Sequence, residues 1–370
     1  MEKIVIRPGH YPMFGQSEGS IFCFVTNSSL VDRFEIQEEG SYTDYKVVTF
    51  DPGQDFNEIL LTKVPEPAHV LVITPECYFA SPTPKALGKR RKLAAMISSS
   101  TPRPLEVLPH FLKAVEETDV EGQATFTENF FEIAEASDYL EFVDEEYGTK
   151  AKWDHWDDTL EWFEQGGFLD WGTQQLVPSG EISILPLPHT HYDHNKGFRL
   201  NGELTFKGGL ILHSGKLSFL PEDQERIYQK LSTMEEYALI ATIEDGWITK
   251  IRTANSTSSE AAKMLEAMYG VESRYRRLWE IGFGINFQVK RLPHKNLGFQ
   301  EVYGGSQGVV HWGFGLTPWT QYHFDIFSKS TKVVNQDGKI LIGGENSEKN
   351  SSSQSQKKLA RTKTEECPCL

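Results

Sequence analysis

The stretch GVVHWGFGLTPWTQYHFDIF, residues 308–327, sets His311, His323 and Asp325 among runs of Val, Phe, Trp and Ile. Its β-branched and aromatic content reads as two strands joined by a Thr-Pro turn. In a strand, residues i and i+2 point to the same face. His323 and Asp325 therefore aim one imidazole and one carboxylate together, while Phe324 and Ile326 point the other way. Working outward, VPSGEISILP (177–186) places Glu181 at the head of another apolar run. LWEIGFGINF (278–287) places Glu280 in a third. Two imidazoles and three carboxylates converging from separate strands make a donor set for one or two divalent ions.

The chain of 370 residues is long enough for two domains. With 39% hydrophobic residues and eight Trp, most of it is expected to fold. A formal charge of −15 argues against a nucleic-acid partner, because phosphate binding needs clustered Lys and Arg. It suits a carboxylate-rich site whose charge a metal partly offsets. No run approaches the roughly 18 apolar residues of a membrane span, so no membrane association is expected. MEKIVIRPGHYP has no apolar core followed by a small-residue cleavage site, so no signal peptide is expected. Cys23, Cys77, Cys367 and Cys369 are too few and too scattered for a disulfide framework. A cytoplasmic location is the expectation.

Residues 1–170 mix apolar runs with helical stretches and read as an α/β domain. AHVLVITPE (68–76) is a continuous, Pro-bounded apolar run, hence a buried strand. Leu105, Leu108, Phe111, Leu112 and Val115 recur at helical spacing. The acidic, aromatic stretch 128–170 reads as helices with a solvated acidic face, the alternative being a lid or partner surface. Residues 171–344 turn to short strands and Gly turns with one clear helix, SSEAAKMLEAMYG, and a closing Asp337–Gly338 hairpin. This second domain reads as α+β and holds every candidate ligand. Residues 345–370, rich in Ser, Gln, Lys and Glu, lack the apolar surface to fold and read as a disordered tail. Its CPCL end admits prenylation or soft-metal binding, but a plain unstructured terminus is the simpler reading.

His189, His191, Asp193 and His194 form an H-x-H-x-D-H pattern resembling the metal loop of metallo-β-lactamase-fold hydrolases. That family's motif lies early in the chain, and its later ligands include an Asp in a Gly-Asp turn. Here a whole domain precedes the motif, and no such turn accompanies His213 or His294. The order PSGEISILP, EIGFGIN, GVVHWGFG, HFD instead resembles the aminopeptidase T (thermophilic leucyl aminopeptidase) family of metallo-aminopeptidases, over about residues 165–343. The resemblance implies a two-domain fold, and Glu181, Glu280, His311, His323 and Asp325 holding two divalent ions of zinc, manganese or cobalt. It implies Glu280 as the proton-handling carboxylate, a peptide or related small molecule as substrate, and a homodimer. The family's catalytic Tyr downstream of the third-segment His has no counterpart, since Pro318 stands there. Tyr303 is the substitute expected, because Tyr322 would point away from His323 in a strand.

Two other readings stay open. A branch resembling this family comprises mononuclear non-haem iron dioxygenases acting on dihydroxypyridines. His311, His323 and Asp325 could form the two-His-one-carboxylate triad that holds Fe(II), with a small aromatic substrate. Retention of both Glu181 and Glu280 favours the two-ion hydrolase, because a triad needs neither. The last reading is a non-catalytic relative that binds metal or a partner peptide.

Overall fold

A computed structural model describes residues 3–77, 79–96, 105–178, 180–186, 193, 196–213, 220–255, 259–289, 308–315, 317–328, 330–343 and 358–363. The run at 68–73 is buried at every position because it becomes the central strand of a parallel sheet. That sheet comprises β2 (Ile21–Thr26), β4 (Asp44–Thr49), β5 (Ala68–Ile73), β6 (Arg91–Met96) and β10 (Gln174–Leu176), in the order β10-β6-β5-β2-β4. Apart from it, β1 (Ile4–Ile6) pairs with β3 (Phe34–Ile36). Both faces of the sheet are covered at its centre, so β2 and β5 are continuously buried rather than alternating, whereas the edge strand β4 stays largely exposed. Phe22, Phe24, Leu71 and Ile73 pack with Leu108, Phe111, Leu112 and Val115 of α3 (Leu108–Glu116). Cys23, Val25, Val70 and Val72 pack with Phe56, Ile59 and Leu60 of α1 (Phe56–Lys63). A single turn, α2 (Pro84–Leu87), adds Leu87 to this second face. The helical spacing at 105–115 is thus realised, with Leu105 in a 3-10 turn just before α3.

The remaining strands form two seven-stranded sheets. One runs β15-β14-β12-β8-β7-β19-β20. Its members are β7 (Leu140–Asp144), β8 (Thr149–Asp154), β12 (Arg199–Phe206), β14 (Leu239–Glu244), β15 (Trp247–Thr253), β19 (Lys332–Asn335) and β20 (Ile340–Ile342). The other runs β13-β18-β17-β16-β11-β9-β21. It contains β9 (Leu160–Gln165), β11 (Glu181–Pro186), β13 (Leu210–His213), β16 (Leu278–Gly284), β17 (Val310–Phe314), β18 (His323–Ser328) and β21 (Arg361–Lys363). A shared apolar core joins the two sheets: Phe142 meets Trp312 edge-on at 4.7 Å and lies parallel to Phe283 at 6.3 Å. Trp312 is fully buried and donates its indole N–H to Ser328 Oγ at 3.1 Å. Truncating it to Ala would cost about 3–5 kcal/mol. Helices α4 (Val120–Glu135), α5 (Pro221–Leu231) and α6 (Glu260–Val271) add Phe130, Leu231 and Leu265 to the same core.

Between residues 128 and 170 the helical reading fails beyond Glu135, where α4 ends and β7, β8 and β9 follow. Leu140 and Phe142, then Thr149, Ala151 and Trp153, are buried on alternate positions. Glu141, Lys150 and Lys152 occupy the outward positions between them, so charge masks a period of two. The chain enters the seven-stranded sheets well before residue 171, while β10 returns once to the parallel sheet. Part of the expected unstructured tail is also folded: β21 runs parallel to β9, and Leu359 is buried. The buried Glu135 carboxylate anchors it, accepting from Lys358 Nζ at 2.6 Å, Arg361 Nη2 at 3.2 Å and Leu359 N at 3.1 Å. Cys367 and Cys369 lie outside the described residues, while Cys23 and Cys77 are buried free thiols. Among the described residues no helix is long and apolar enough to cross a membrane.

Candidate metal centre

Alternation along five adjacent strands, with a bulge in β16 between Leu278 and Glu280, sets the shared core on one face of the sheet and most polar side chains on the other. Ile182, Ile184, Ile281, Phe283, Trp312, Phe314, Phe324, Ile326, Leu210 and Leu212 all face the shared core. Their alternates, Glu181, Glu280, His311, His323, Asp325 and His213, share the other face. Backbone register brings them together. His213 lies opposite His323, and Gly313 lies between Glu280 on β16 and Asp325 on β18. All five ligands expected from the sequence therefore stand in one cluster.

The distances divide that cluster into two ends. At one, His311 Nε2 lies 3.2 Å from Glu181 Oε1 and 3.8 Å from Glu280 Oε1. At the other, His323 Nε2 lies 3.3 Å from Asp325 Oδ1, and His213 Nε2 lies 3.3 Å from Asp325 Oδ2. Glu280 connects the ends, because its second oxygen, Oε2, is 3.5 Å from His323 Nε2. Within each group, Glu181/Glu280/His311 and His213/His323/Asp325, one potential ligand atom per residue lies within 4.8 Å of the others.

Three neighbours hold these side chains in place. Ser183, two residues along β11, donates its hydroxyl to Glu181 Oε1. His323 Nδ1 is 3.0 Å from the Phe314 carbonyl, which fixes the tautomer and leaves Nε2 facing the cluster. Two glycines supply room. A Cβ on Gly282 would lie 1.9 Å from the His311 ring, and one on Gly313 would lie 2.6 Å from Glu280 Cβ and 2.9 Å from Asp325 Oδ1. Neither glycine has positive φ, so space is what they provide.

The electrostatics follow from burying three carboxylates with three imidazoles. Burial pulls the His311 imidazole down, but Glu181 first, with Glu280 and Asp325, outweighs it and holds the group well above its ordinary range. Burial pushes Asp325 up, yet His323, His213 and His311 hold it well below the usual carboxylate range. His323 Nε2, Asp325 Oδ1 and His311 Nδ1 are buried without a hydrogen bond to any described residue. Such atoms ordinarily find partners. Imidazole and carboxylate donors without thiolate, some of them lacking hydrogen bonds, fit a divalent cation.

His213 was weighed from the sequence only alongside the His-rich loop and not with His323 and Asp325, while Ser183 and the two glycines escaped the sequence reading. His213 had one signal: in LILH it alternates with Leu210 and Leu212, as the expected site residues alternate with their own apolar neighbours. Tyr303, His189, His191, His194 and His294 lie outside the described residues. Asp193, at the edge of the His-rich loop, accepts through its backbone carbonyl from Arg277 Nη1 at 2.8 Å. Tyr322 points away from the cluster, its hydroxyl 3.2 Å from Asp223 Oδ2.

No family model matches this chain, and no curated protein does. Among solved structures, it is similar to 2,5-dihydroxypyridine dioxygenase from Pseudomonas putida KT2440, with a TM-score of 0.54 at 15% identity over 89% of this chain and 92% of that one. It also aligns with wild-type AmpT from Thermus thermophilus, at a TM-score of 0.41 and 13% identity over 89% and 93% of the two chains. The first likeness is one of fold. Fold and site together define a mixed α/β protein of several sheets, with two buried residue groups able to ligate metal.

Proposed function

We propose that this chain is a metal-dependent hydrolase that holds two divalent ions, zinc, manganese or cobalt, and cleaves an amide, most simply releasing the N-terminal residue of a peptide. The observation that carries this reading is Glu280, whose two oxygens face opposite ends of the cluster, Oε1 toward His311 and Oε2 toward His323. A carboxylate in that position is what a pair of ions needs as a bridge. Bound ions would supply Lewis acidity toward a carbonyl oxygen and acidify a water. The chain's own residues do the rest. Glu181, held by the Ser183 hydroxyl, and His311 define one end, while His213, His323 and Asp325 define the other. Glu280 is also the carboxylate placed to accept a proton from a water bound in the cluster, through the oxygen that a bound ion would leave free. Burial of the cluster keeps competing solvent out.

A second reading has its own observation. His213, in place of the His311 expected from the sequence, joins His323 and Asp325 in a two-His-one-carboxylate set, the donor pattern of mononuclear ferrous oxygenases. The chain would then act on a small aromatic ring, as the name of the dioxygenase of similar fold suggests. One experiment separates the two. The protein is purified anaerobically, its metals are counted by elemental analysis, and it is offered a peptide panel and, with O₂, dihydroxylated pyridines. About two zinc, manganese or cobalt ions with amino-acid release supports the hydrolase. One iron with O₂ consumption replaces it by the oxygenase. Absence of stoichiometric metal, with a Glu280→Gln variant indistinguishable from wild type, removes both.

A further inference from the structure

We propose that the two ends of the cluster are unequal metal subsites, and that His213 is the ligand that makes them so. The His213/His323/Asp325 end takes a borderline ion such as zinc, cobalt or ferrous iron. The Glu181/Glu280/His311 end takes a harder ion such as manganese or magnesium. This rests on the two-ion reading above.

The donor sets differ in kind. The first end offers two ring nitrogens and one carboxylate, the second one ring nitrogen and two carboxylates. Imidazole suits zinc and iron, whereas carboxylate and water suit manganese and magnesium. Without His213 the ends would be nearly alike, each with one imidazole.

The geometry of His213 is that of a ligand. It is the last residue of β13, directly opposite His323 across the edge pair of the sheet. The two rings stack at 4.8 Å with their planes 22° apart, and both Nε2 atoms converge on one carboxylate. Asp325 turns Oδ2 to His213 and Oδ1 to His323, each at 3.3 Å. A packed, hydrogen-bonded histidine pair would account for the stacking and for the contact of His213 Nε2 with Asp325 Oδ2. It would leave His323 Nε2 and Asp325 Oδ1 buried with no hydrogen bond to any described residue. An ion seated between the Nε2 atoms and the carboxylate accounts for both. At the other end Glu181 is the least buried of the six, its side chain 12% exposed. Retained water is what hard ions require, because they dehydrate reluctantly.

The test uses the full-length chain stripped of metal. Co²⁺ is titrated and followed by its visible d–d absorption, and Mn²⁺ by electron paramagnetic resonance, separately and together. Wild type is expected to bind one of each at once, Co²⁺ the tighter at its own subsite. His213→Gln should weaken the Co²⁺ event by at least about ten- to a hundredfold, the scale reached even by outer-shell changes, and leave Mn²⁺ binding within about twofold. Glu181→Gln should do the reverse. His213→Asp should raise Mn²⁺ affinity relative to Co²⁺ at the first end, a gain that misfolding cannot imitate. If His213→Gln binds both ions like wild type, His213 is not a ligand and the proposal fails. If wild type binds two ions of one kind but never a mixed pair, the subsites are equal and it fails there, with the two-ion reading intact. Saturation at a single ion would overturn the two-ion reading itself, and this inference with it.

Discussion

His69, on the central strand of the parallel sheet, and His311, on a central strand of the site sheet, are both buried in strands flanked on each side. Around His69 the neighbours are rings. Phe14 stacks on it at 4.8 Å, Trp171 lies at 5.2 Å, and the Tyr42 hydroxyl is 3.0 Å from Nδ1. Burial, with Lys92 adding to it, pushes the His69 imidazole down to about 4. Around His311 the neighbours are carboxylates, and the group moves the other way. Desolvation acts in the same direction on both. The difference is that the site sheet buries Glu181, Glu280 and Asp325 beside its imidazoles. Such a concentration of buried negative charge is stabilised by cations. In the metal-free protein a proton on His311 serves, and divalent ions would serve better.

The largest expected effect comes from supplying those ions. A ligand that binds only the folded state at about a thousand times its Kd adds roughly 4 kcal/mol of stability. Urea unfolding with and without chelator should show a difference of that order. Hydrogen exchange should slow in β16, β17 and β18 and stay unchanged in β2, β5 and β6. Equal protection of both sheets would break the comparison.

The pH dependence of His69 comes next. In the unfolded chain this group titrates near its ordinary value of about 6.5, and in the folded protein at about 4. Between those values the unfolded state binds the extra proton, so stability falls as pH drops through the window. The total is roughly 3 kcal/mol from the size of the shift. His69→Phe should flatten that slope in urea titrations between pH 7 and pH 4. It should also cost about 1 kcal/mol at neutral pH through the lost Tyr42 hydrogen bond. A slope unchanged by the substitution would show that the aromatic box does not control the imidazole.

Gly313→Ala tests the site from its backbone. The added Cβ meets Glu280 Cβ and Asp325 Oδ1, neither of which can retreat without leaving the cluster. Overpacking of this kind costs about 1–3 kcal/mol, and displacement of Glu280 should reduce bound metal from two ions toward one. Elemental analysis of the folded variant is the check. Retention of both ions would mean that the glycine provides no needed room.

These residues also mark how far the site could be read beforehand. That His323 and Asp325 share a face was legible from their i, i+2 spacing, while Glu181, Glu280 and His311 were set beside them through the resemblance of their segments. Such spacing is local and survives in the sequence. The partnership of His213 with Asp325 was not legible, because the two lie 112 residues apart and only the pairing of β13 with β18 joins them. Gly282 and Gly313 matter through a neighbouring strand's side chain, which no spacing along one strand reveals. The central strand β5 was legible from its continuous, Pro-bounded apolar run. By contrast, β7, β8 and β9 were hidden by outward acids and lysines that mimic a solvated helix.

The smallest effect concerns a buried carboxylate that has found its cations within the chain. Glu135 is nearly as inaccessible as Glu280, its side chain 1% exposed, but Lys358 and Arg361 of β21 and its approach reach it directly. Arg361 also lies over the Phe131 ring at 3.8 Å and pairs with the exposed Glu128 at 3.2 Å. Because Lys358 remains, Arg361→Gln should cost only about 1.5 kcal/mol, the low end for a hydrogen bond to a charged group. Adding Lys358→Ala removes the second cation from a buried acid, so the double variant should lose more than the sum of the single losses. Urea unfolding measures both, and neither loss should be restored by divalent ions. Restoration by metal would place Glu135 with the site sheet's carboxylates, and the distinction between internally paired and ion-dependent acids would collapse.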